Sequence, residues 1–261
     1  MSTPVAVVHA DEASLAQAAA ARLVTRLVDA QSARGRAHVV LTGGGIGIAT
    51  LVALAASPAR DSIDWHGVDI WWGDERFLPS GDPERNETQA RAALLDHVPV
   101  PPHRVHPMPA SDGPDGGDVD AAARRYAAAL AAAAAESGER GEVPSFEVLL
   151  LGVGPDGHIA SLFPGHPGLY VEDLSVIGVR GAPKPPPNRI SLTMPAINVA
   201  EEVWFLACGP AKAGVVHLAL TSAGALAVPA AGPTGRSRTL WLLDRAAAAQ
   251  VPPALIRPAS P

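Results

Sequence analysis

The sequence predicts an α/β fold in which helices cover both faces of a mostly parallel β-sheet. Two observations lead to this prediction: short apolar runs alternate along the chain with alanine-rich segments of helical period, and several apolar runs end in glycine-rich turns. Strands joined through helices need right-handed crossovers, which place the helices on the two faces of the sheet. Open sheets of this kind bind ligands at the carboxyl ends of their strands.

The first half of the chain shows three successive pairs of a strand and a helix. We expect strands at 5–8, 38–41 and 68–72, and helices at 11–34, 46–56 and 86–97. The first helix has an N-cap in Asp11, with Glu12 and Ser14 in its first turn. The second and third strands each run into a turn that contains glycine, which marks where the strand ends.

The second half of the chain continues the alternation. We expect a helix at 119–137 and strands at 146–151, 203–207 and 240–243. The loop at 181–188 holds four prolines and one lysine, and we interpret it as an ordered surface loop that aims Arg189. These elements predict one domain over residues 1–250, followed by a Pro-rich tail at 251–261 whose end is expected to be disordered.

Composition argues against several classes of partner. The net charge of −6 over 261 residues gives no basic footprint for nucleic acid, so a small soluble ligand is favoured.

Cys208 is the only cysteine, and its apolar surroundings predict a buried thiol rather than a nucleophile. The amino terminus lacks a basic segment, and no apolar stretch approaches the roughly 20 residues that span a bilayer. We therefore expect a cytoplasmic protein without membrane contact.

The turn that follows the strand at 146–151 carries one carboxylate and one imidazole between glycines. Histidine has the side chain whose usual pKa lies nearest neutrality, so His158 can take a proton from water and return it within one turnover. Asp156, two residues earlier, can orient the imidazole ring. The alternative is an ordinary strand-to-helix turn with a surface histidine, and this segment alone leaves it open.

The three glycines at 43–45 form a second turn between a strand and a helix. Such a turn exposes consecutive backbone N–H groups at a helix N-terminus, where a phosphate can bind. The dinucleotide fingerprint is absent, because Thr50 stands where the third glycine belongs, and no Gly-Lys-Ser/Thr sequence completes a P-loop. Nucleotide cofactors are therefore disfavoured, and a purely structural turn stays open.

The segment Gly73-Asp74-Glu75-Arg76 follows the third apolar strand. Taken alone, two acids beside an arginine predict a solvated charge cluster. If the strands are parallel and adjacent, however, Thr42, Arg76 and His158 all emerge at one edge of the sheet. We therefore predict an active site at that edge.

Six motifs follow one another along nearly the whole chain, at 41–44, 72–77, 152–164, 189–193, 209–213 and 241–244. In this order they resemble the signatures of the 6-phosphogluconolactonases, in the family that also contains glucosamine-6-phosphate isomerases. The resemblance implies a single-domain, Rossmann-like three-layer sandwich, related to glucosamine-6-phosphate deaminase, that uses neither a metal nor a cofactor. It also implies hydrolysis of 6-phospho-D-glucono-1,5-lactone to 6-phospho-D-gluconate in the oxidative pentose phosphate pathway.

The resemblance assigns roles by position. His158 is the general base for water, Asp156 is its partner, and Arg76 faces the lactone or its phosphate. The implied substrate-binding residues are Thr42, Gly43, Gly44, Asp74, Arg189 and Lys212, and all of these except Asp74 are expected to hold the 6-phosphate. A monomer or a small homo-oligomer is expected.

Two alternative functions share the expected fold. A sugar-phosphate isomerase or deaminase of this family has a glutamate five positions after the histidine, where this chain has Phe163, whose ring we expect to pack beneath His158. A non-catalytic sugar-phosphate sensor needs a DNA-binding module, and no basic helix-turn-helix segment is evident in the chain. Only Asn86 matches the family element at 85–87, so the role of that helix start is left open.

Overall fold

The computed structural model describes residues 2–221 and 223–257. Its strands, in chain order, are β1 (Pro4–His9), β2 (Ala37–Leu41), β3 (Val68–Trp72), β4 (Asp74–Arg76), β5 (Val148–Gly152), β6 (Val176–Val179), β7 (Arg189–Leu192), β8 (Glu202–Ala207), β9 (Arg238–Asp244) and β10 (Ile256–Arg257). Its α-helices are α1 (Glu12–Arg34), α2 (Gly45–Ala56), α3 (Asn86–Ala93), α4 (Val119–Glu136), α5 (Met194–Ile197) and α6 (Ala213–Thr221).

Seven of the strands form one parallel sheet in the order β10-β1-β9-β8-β5-β2-β3. Next to the edge strand β3, β2 lies between β5 and β3, with Val40 opposite Leu149 and Leu41 opposite Trp72. The predicted adjacency of these strands is therefore confirmed. The remaining strands form a small antiparallel sheet in the order β4-β7-β6.

Two apolar cores lie on the two faces of the parallel sheet. On one face, buried residues of α1, α2 and α3 pack against alternate strand residues such as Val39 and Leu150. On the other face, α4, α5, α6 and the small sheet pack against the intervening residues, Val40 and Leu149 among them. This alternation is what the period of a strand dictates, and it confirms the three-layer α/β architecture.

The structure corrects several boundaries. The helix predicted at 86–97 ends at Ala93, and a short 3-10 helix follows at Leu95–His97, because Leu94 and Leu95 both turn into the core. The strand predicted from residue 146 begins at Val148. The small antiparallel sheet was not predicted, because strands of three or four residues give no periodic signal.

The parallel sheet extends into the segment assigned to a Pro-rich tail. Ile256 and Arg257 pair with Ala6 and Val7 of β1. The disorder expected at the chain's end concerns residues 258–261, which lie outside the described residues. Within the described ranges, no helix combines the length and apolarity that crossing a membrane requires.

Candidate active site

The carboxyl ends of β2, β3, β5 and β8 surround one cavity of about 530 Å³. Eight of the predicted site residues line it: Thr42, Gly43, Gly44, Asp74, Arg76, His158, Arg189 and Lys212. The ninth, Asp156, stands beside His158. The parallel order of the strands brings together residues that are far apart in the sequence.

His158 and Asp156 form a hydrogen-bonded pair at the cavity wall. Nδ1 of His158 lies 2.5 Å from Oδ1 of Asp156. Because a carboxylate only accepts, Nδ1 carries the hydrogen, and the lone pair of the neutral ring is on Nε2. The side chain of His158 is 17% exposed, so the ring meets the cavity while most of it is shielded from water.

The surroundings of the pair keep the imidazole neutral and the carboxylate charged. Burial lowers the pKa of His158, and the ammonium of Lys184 acts in the same direction against Asp156 and Asp74. Burial acts to raise the pKa of Asp156, but the hydrogen bond with His158 and the charge of Lys184 bring it below its usual value. A neutral imidazole beside a carboxylate is the protonation state that a general base needs.

Two close contacts fix the imidazole ring in place. The ring of Phe163 lies 4.6 Å from it between centroids and is itself buried, which confirms the predicted packing. On another side, a Cβ added to Gly154 would lie 2.0 Å from Nδ1 of His158 and 2.4 Å from Oδ1 of Asp156. Only glycine fits at position 154 with the pair in this geometry.

Asp74 connects three segments behind the turn that carries Asp156 and His158. Its Oδ2 accepts a hydrogen bond from Oγ of Ser161 at 2.7 Å, and its Oδ1 accepts one from Nδ2 of Asn86 at 3.3 Å. The backbone N–H of Ser161 in turn donates to Oγ of Ser191 in β7. Asp74 lines the cavity as predicted, but protein donors already engage both of its carboxylate oxygens.

Glu75 is a buried carboxylate that organises the start of α3. It is fully buried and accepts hydrogen bonds from the backbone N–H groups of Arg76, Asn86 and Glu87 at 2.7–2.9 Å. Burial raises the pKa of Glu75 to about 7, against the charge of Arg85 and these N–H donors. No role for Glu75 is predicted by the sequence.

Asn86, whose role the sequence left open, packs against the glycine loop. A Cβ added to Gly43 would lie 2.0 Å from Oδ1 of Asn86, so the loop and the helix start are in direct contact. On the other side of the loop, Oγ1 of Thr42 accepts from the N–H of Gly152 at 3.2 Å. The loop is therefore held from both sides.

The glycine loop presents the N-terminus of α2 to the cavity. Gly44 occupies the N-cap with a φ of 80° and provides no side-chain cap, and Gly45 and Ile46 line the cavity after it. The first N–H groups of a helix have no acceptor within the helix. Together with the helix dipole, they make this turn suited to a phosphate group.

Three predicted cations reach the cavity from separate elements. Lys212 ends the short 3-10 helix Pro210–Lys212 that follows β8, and burial, then the charge of Lys184, lower its pKa. Arg76 extends from β4 and donates one Nη1 hydrogen bond to the carbonyl of Glu84. The third cation, Arg189, begins β7.

Arg189 is already engaged by the Pro-rich loop. Its Nε donates to the carbonyl of Pro186 at 3.2 Å, and its Nη2 donates to the carbonyls of Lys184 and Pro185 at 3.1 and 3.0 Å. From the sequence, we expected the loop to orient the side chain of Arg189. The contacts show that Arg189 holds the loop.

Cys208 differs from the buried thiol that was expected. It follows β8, is half-buried, and lines the cavity. Burial raises the pKa of its thiol to about 11, so the sulfur is protonated at neutral pH. A protonated thiol agrees with the prediction that Cys208 is not a nucleophile.

The family described as glucosamine-6-phosphate isomerases/6-phosphogluconolactonase matches this chain over residues 10–241. The chain belongs to this family, which confirms the resemblance inferred from the six motifs. The match covers β2, β3, β5 and β8, the strands whose carboxyl ends form the cavity.

Proteins similar to this chain in sequence include two bacterial 6-phosphogluconolactonases. The 6-phosphogluconolactonase of Streptomyces coelicolor is 63% identical over 258 residues, which cover 99% of this chain and 98% of that protein. The 6-phosphogluconolactonase of Mycobacterium tuberculosis is 52% identical over 242 residues, covering 93% and 96%.

Solved structures share the fold. The 6-phosphogluconolactonase of Trypanosoma brucei superposes with a TM-score of 0.81 at 28% identity, covering 96% of this chain and 99% of that one. A monomeric glucosamine-6-phosphate deaminase gives a TM-score of 0.73 at 19% identity, covering 95% of this chain and 100% of that one. The second likeness concerns the fold alone.

Proposed function

We propose that the protein hydrolyses 6-phospho-D-glucono-1,5-lactone to 6-phospho-D-gluconate in the oxidative pentose phosphate pathway. The observation that carries the proposal is the His158–Asp156 pair at a cavity whose other walls are cationic and rich in backbone N–H groups. Family membership and the identity of 63% to a 6-phosphogluconolactonase support the same reaction. The assignment predicts a cytoplasmic enzyme whose partner is a small phosphorylated lactone.

His158 carries the proton through the reaction. Nε2 takes a proton from water as the oxygen attacks the lactone carbonyl, and the imidazolium returns it to the ring oxygen as the C–O bond breaks. Asp156 stabilises the imidazolium and keeps Nε2 pointed at the water. A single base can serve both half-reactions because the proton that it accepts is the one that the leaving group needs.

The tetrahedral intermediate places a negative charge on the former carbonyl oxygen. Arg76 is our candidate for stabilising it, because its guanidinium lines the same cavity and is steadied by the Glu84 carbonyl. Removing one such donor from an acyl-transfer enzyme typically costs about 10²- to 10³-fold in kcat.

The 6-phosphate binds at the start of α2 in our proposal. Thr42, Gly43 and Gly44 supply the turn and its N–H groups, and Lys212 supplies a positive charge. Anchoring the phosphate holds the lactone carbonyl in place for attack, since the phosphate on C6 is attached at C5, which the ring oxygen joins directly to the carbonyl carbon.

Position 163 argues against deaminase or isomerase chemistry. The deaminase pattern places a glutamate there to assist ring opening, and this chain has a buried phenylalanine in contact with the catalytic ring. Position 163 therefore has no carboxylate that could assist ring opening. The hydrolase is therefore the function that the site supports best.

A comparison of substrates tests the proposal. Purified protein is mixed with freshly generated 6-phosphogluconolactone, and hydrolysis is followed after subtraction of the spontaneous rate. Glucosamine 6-phosphate and fructose 6-phosphate are assayed in parallel. We expect acceleration with the lactone alone; ammonia release or sugar isomerisation without lactone hydrolysis would contradict the proposal.

The pH dependence of hydrolysis provides a first prediction. Activity requires neutral His158, so kcat/KM should rise with pH through an acid limb whose apparent pKa lies below the usual histidine value of about 6.5. Asp156 raises the pKa of His158, so the Asp156→Asn variant should move the limb to lower pH. Its plateau should also fall, because a neutral amide stabilises the imidazolium less.

The measurement is kcat/KM of wild type and Asp156→Asn between about pH 5 and 8. Asp173→Asn is a matched control, because Asp173 does not line this cavity. A limb that stays in place or moves to higher pH in Asp156→Asn would show that Asp156 does not act on His158.

Phe163→Glu should damage the lactonase without creating deaminase activity. A carboxylate at this buried position is poorly solvated and would cost several kcal/mol if it ionised unpaired. If it ionises beside His158, the pKa of the imidazole rises and the base becomes protonated at neutral pH. Either outcome lowers lactone turnover.

The pH profile of lactone hydrolysis and ammonia release from glucosamine 6-phosphate are measured together for this variant. Phe163→Leu is the control, since it keeps the position apolar. An unshifted pH profile with full lactonase activity in Phe163→Glu would show that Phe163 has no influence on the active site. Ammonia release would show that this one residue is enough to convert the lactonase into a deaminase.

A further inference from the structure

The Pro-rich loop at 181–188 forms one wall of the active-site cavity through Lys184 and Pro185. The loop connects β6 to β7 in the small sheet, outside the parallel strands that carry the other site residues. In the mechanism above Lys184 helps to keep His158 neutral but makes no contact with the substrate. Its position nonetheless places a positive charge where an anionic substrate must enter.

Lys184 points at the catalytic pair rather than out of the cavity. Its Nζ lies 3.8 Å from Oδ1 of Asp156, and its side chain is 45% exposed. Asp156 already accepts the hydrogen bond from His158. The ammonium therefore has room and donors left for a ligand.

Lys184 and Lys212 act on each other across the cavity. After burial, the charge of Lys184 is the largest cause of the lowered pKa of Lys212. Two ammonium groups that repel each other are both stabilised by a shared anion, and a phosphate with two negative charges suits that arrangement better than one carboxylate.

Arg189 fixes the loop in the conformation that presents Lys184. Its guanidinium donates three hydrogen bonds to the carbonyls of residues 184–186, and it lies over the ring of Phe163 with its Cζ 5.8 Å from the centroid. Arg189 is also nearly buried, at 8% exposure. Arginine suits this role, because its planar fork can bond several carbonyls at once, whereas a lysine cannot reproduce that geometry.

We infer that Lys184 is a second phosphate-binding cation beside Lys212, and that Arg189 is a positioning residue that acts through the Lys184 loop. This inference rests on the proposed function for the identity of the substrate. The preference for a phosphorylated lactone then depends in part on a residue of the small sheet's connecting loop, together with Lys212.

Lys184→Met provides the direct test. At about pH 8, where His158 is neutral with or without the nearby ammonium, the kcat/KM for 6-phosphogluconolactone should fall about ten- to a hundredfold, chiefly through KM, with little change for unphosphorylated glucono-1,5-lactone. Binding of inorganic phosphate, measured by calorimetry, should weaken by a similar factor. Arg180→Met is the matched control: it removes one exposed cation that immediately precedes the loop and lies outside the cavity.

Arg189→Lys tests the positioning role in a double-mutant cycle. Because it keeps the charge but loses the fork, it should lower the preference for the phosphorylated lactone in the wild-type background. In the Lys184→Met background it should have little further effect, since its action passes through Lys184. Thermal melts of all variants show whether each one is folded.

Several outcomes would overturn the inference. Full preference and phosphate binding in Lys184→Met would remove Lys184 from the phosphate site. Equal losses of kcat on both lactones at about pH 8, above the acid limb of His158, would assign Lys184 to the oxyanion instead. Additive effects of the two substitutions would mean that Arg189 contacts phosphate itself. Phosphate binding does not depend on turnover, so it tests Lys184 even if the wild-type protein fails to hydrolyse the lactone.

Discussion

His158→Ala is expected to lower kcat for 6-phosphogluconolactone by about 10²- to 10⁴-fold, the usual contribution of a positioned general base. Affinity for 6-phosphogluconate should change little, because the residues proposed to hold the phosphate lie on other elements. The rates come from a stopped assay corrected for spontaneous hydrolysis, and the affinity comes from calorimetry.

His166→Ala is the matched control for this substitution. His166 is a histidine of the same segment, but it caps the short 3-10 helix at Pro167–Tyr170 and does not line the cavity. Its loss should leave kcat near the wild-type value. A near-wild-type kcat in His158→Ala would remove His158 from proton transfer, whatever its place in the cavity.

Lys212→Ala should raise KM for the phosphorylated lactone and abolish most of the preference over unphosphorylated gluconolactone. A charge-assisted contact to phosphate contributes about 1.5–3 kcal/mol, so kcat/KM should fall about ten- to a hundredfold. Arg189→Ala should have an effect of the same sign, and we infer that it acts through Lys184, whose carbonyl Arg189 contacts.

Steady-state kinetics with the two lactones measure this effect, and the unphosphorylated lactone serves as the internal control because it lacks the group that Lys212 is proposed to hold. Lys212→Arg should retain part of the preference, since the charge is kept. An unchanged preference in Lys212→Ala would mean that the phosphate binds elsewhere in the cavity.

The site's main residues were predictable because parallel strands end at a common edge. If 38–41, 68–72 and 146–151 are neighbouring parallel strands, the polar residues that follow them lie close together at one edge of the sheet. The structure brings Thr42, Arg76 and His158 into one cavity for this reason. The packing of Phe163 against His158 followed from its place in an apolar turn just after the base.

Other features depend on contacts that no local pattern encodes. Glu75 looks like one more surface acid in the sequence, yet the fold buries it under the start of α3. The role of Arg189 depends on backbone carbonyls of its own loop, and a carbonyl has no sequence signature. The sequence identifies Lys184 only as one residue of that loop. The lysine reaches Asp156 because β6 and β7 pair in the small antiparallel sheet, which periodicity did not predict.

A crystal structure with 6-phosphogluconate bound tests the central claim most directly. The account predicts the phosphate against the N-terminus of α2 and beside Lys212, with one water donating hydrogen bonds to both the product carboxylate and Nε2 of His158. The reversed orientation, with the phosphate at His158 and the carboxylate at the glycine loop, would contradict the assignment of His158 as the base that activates water.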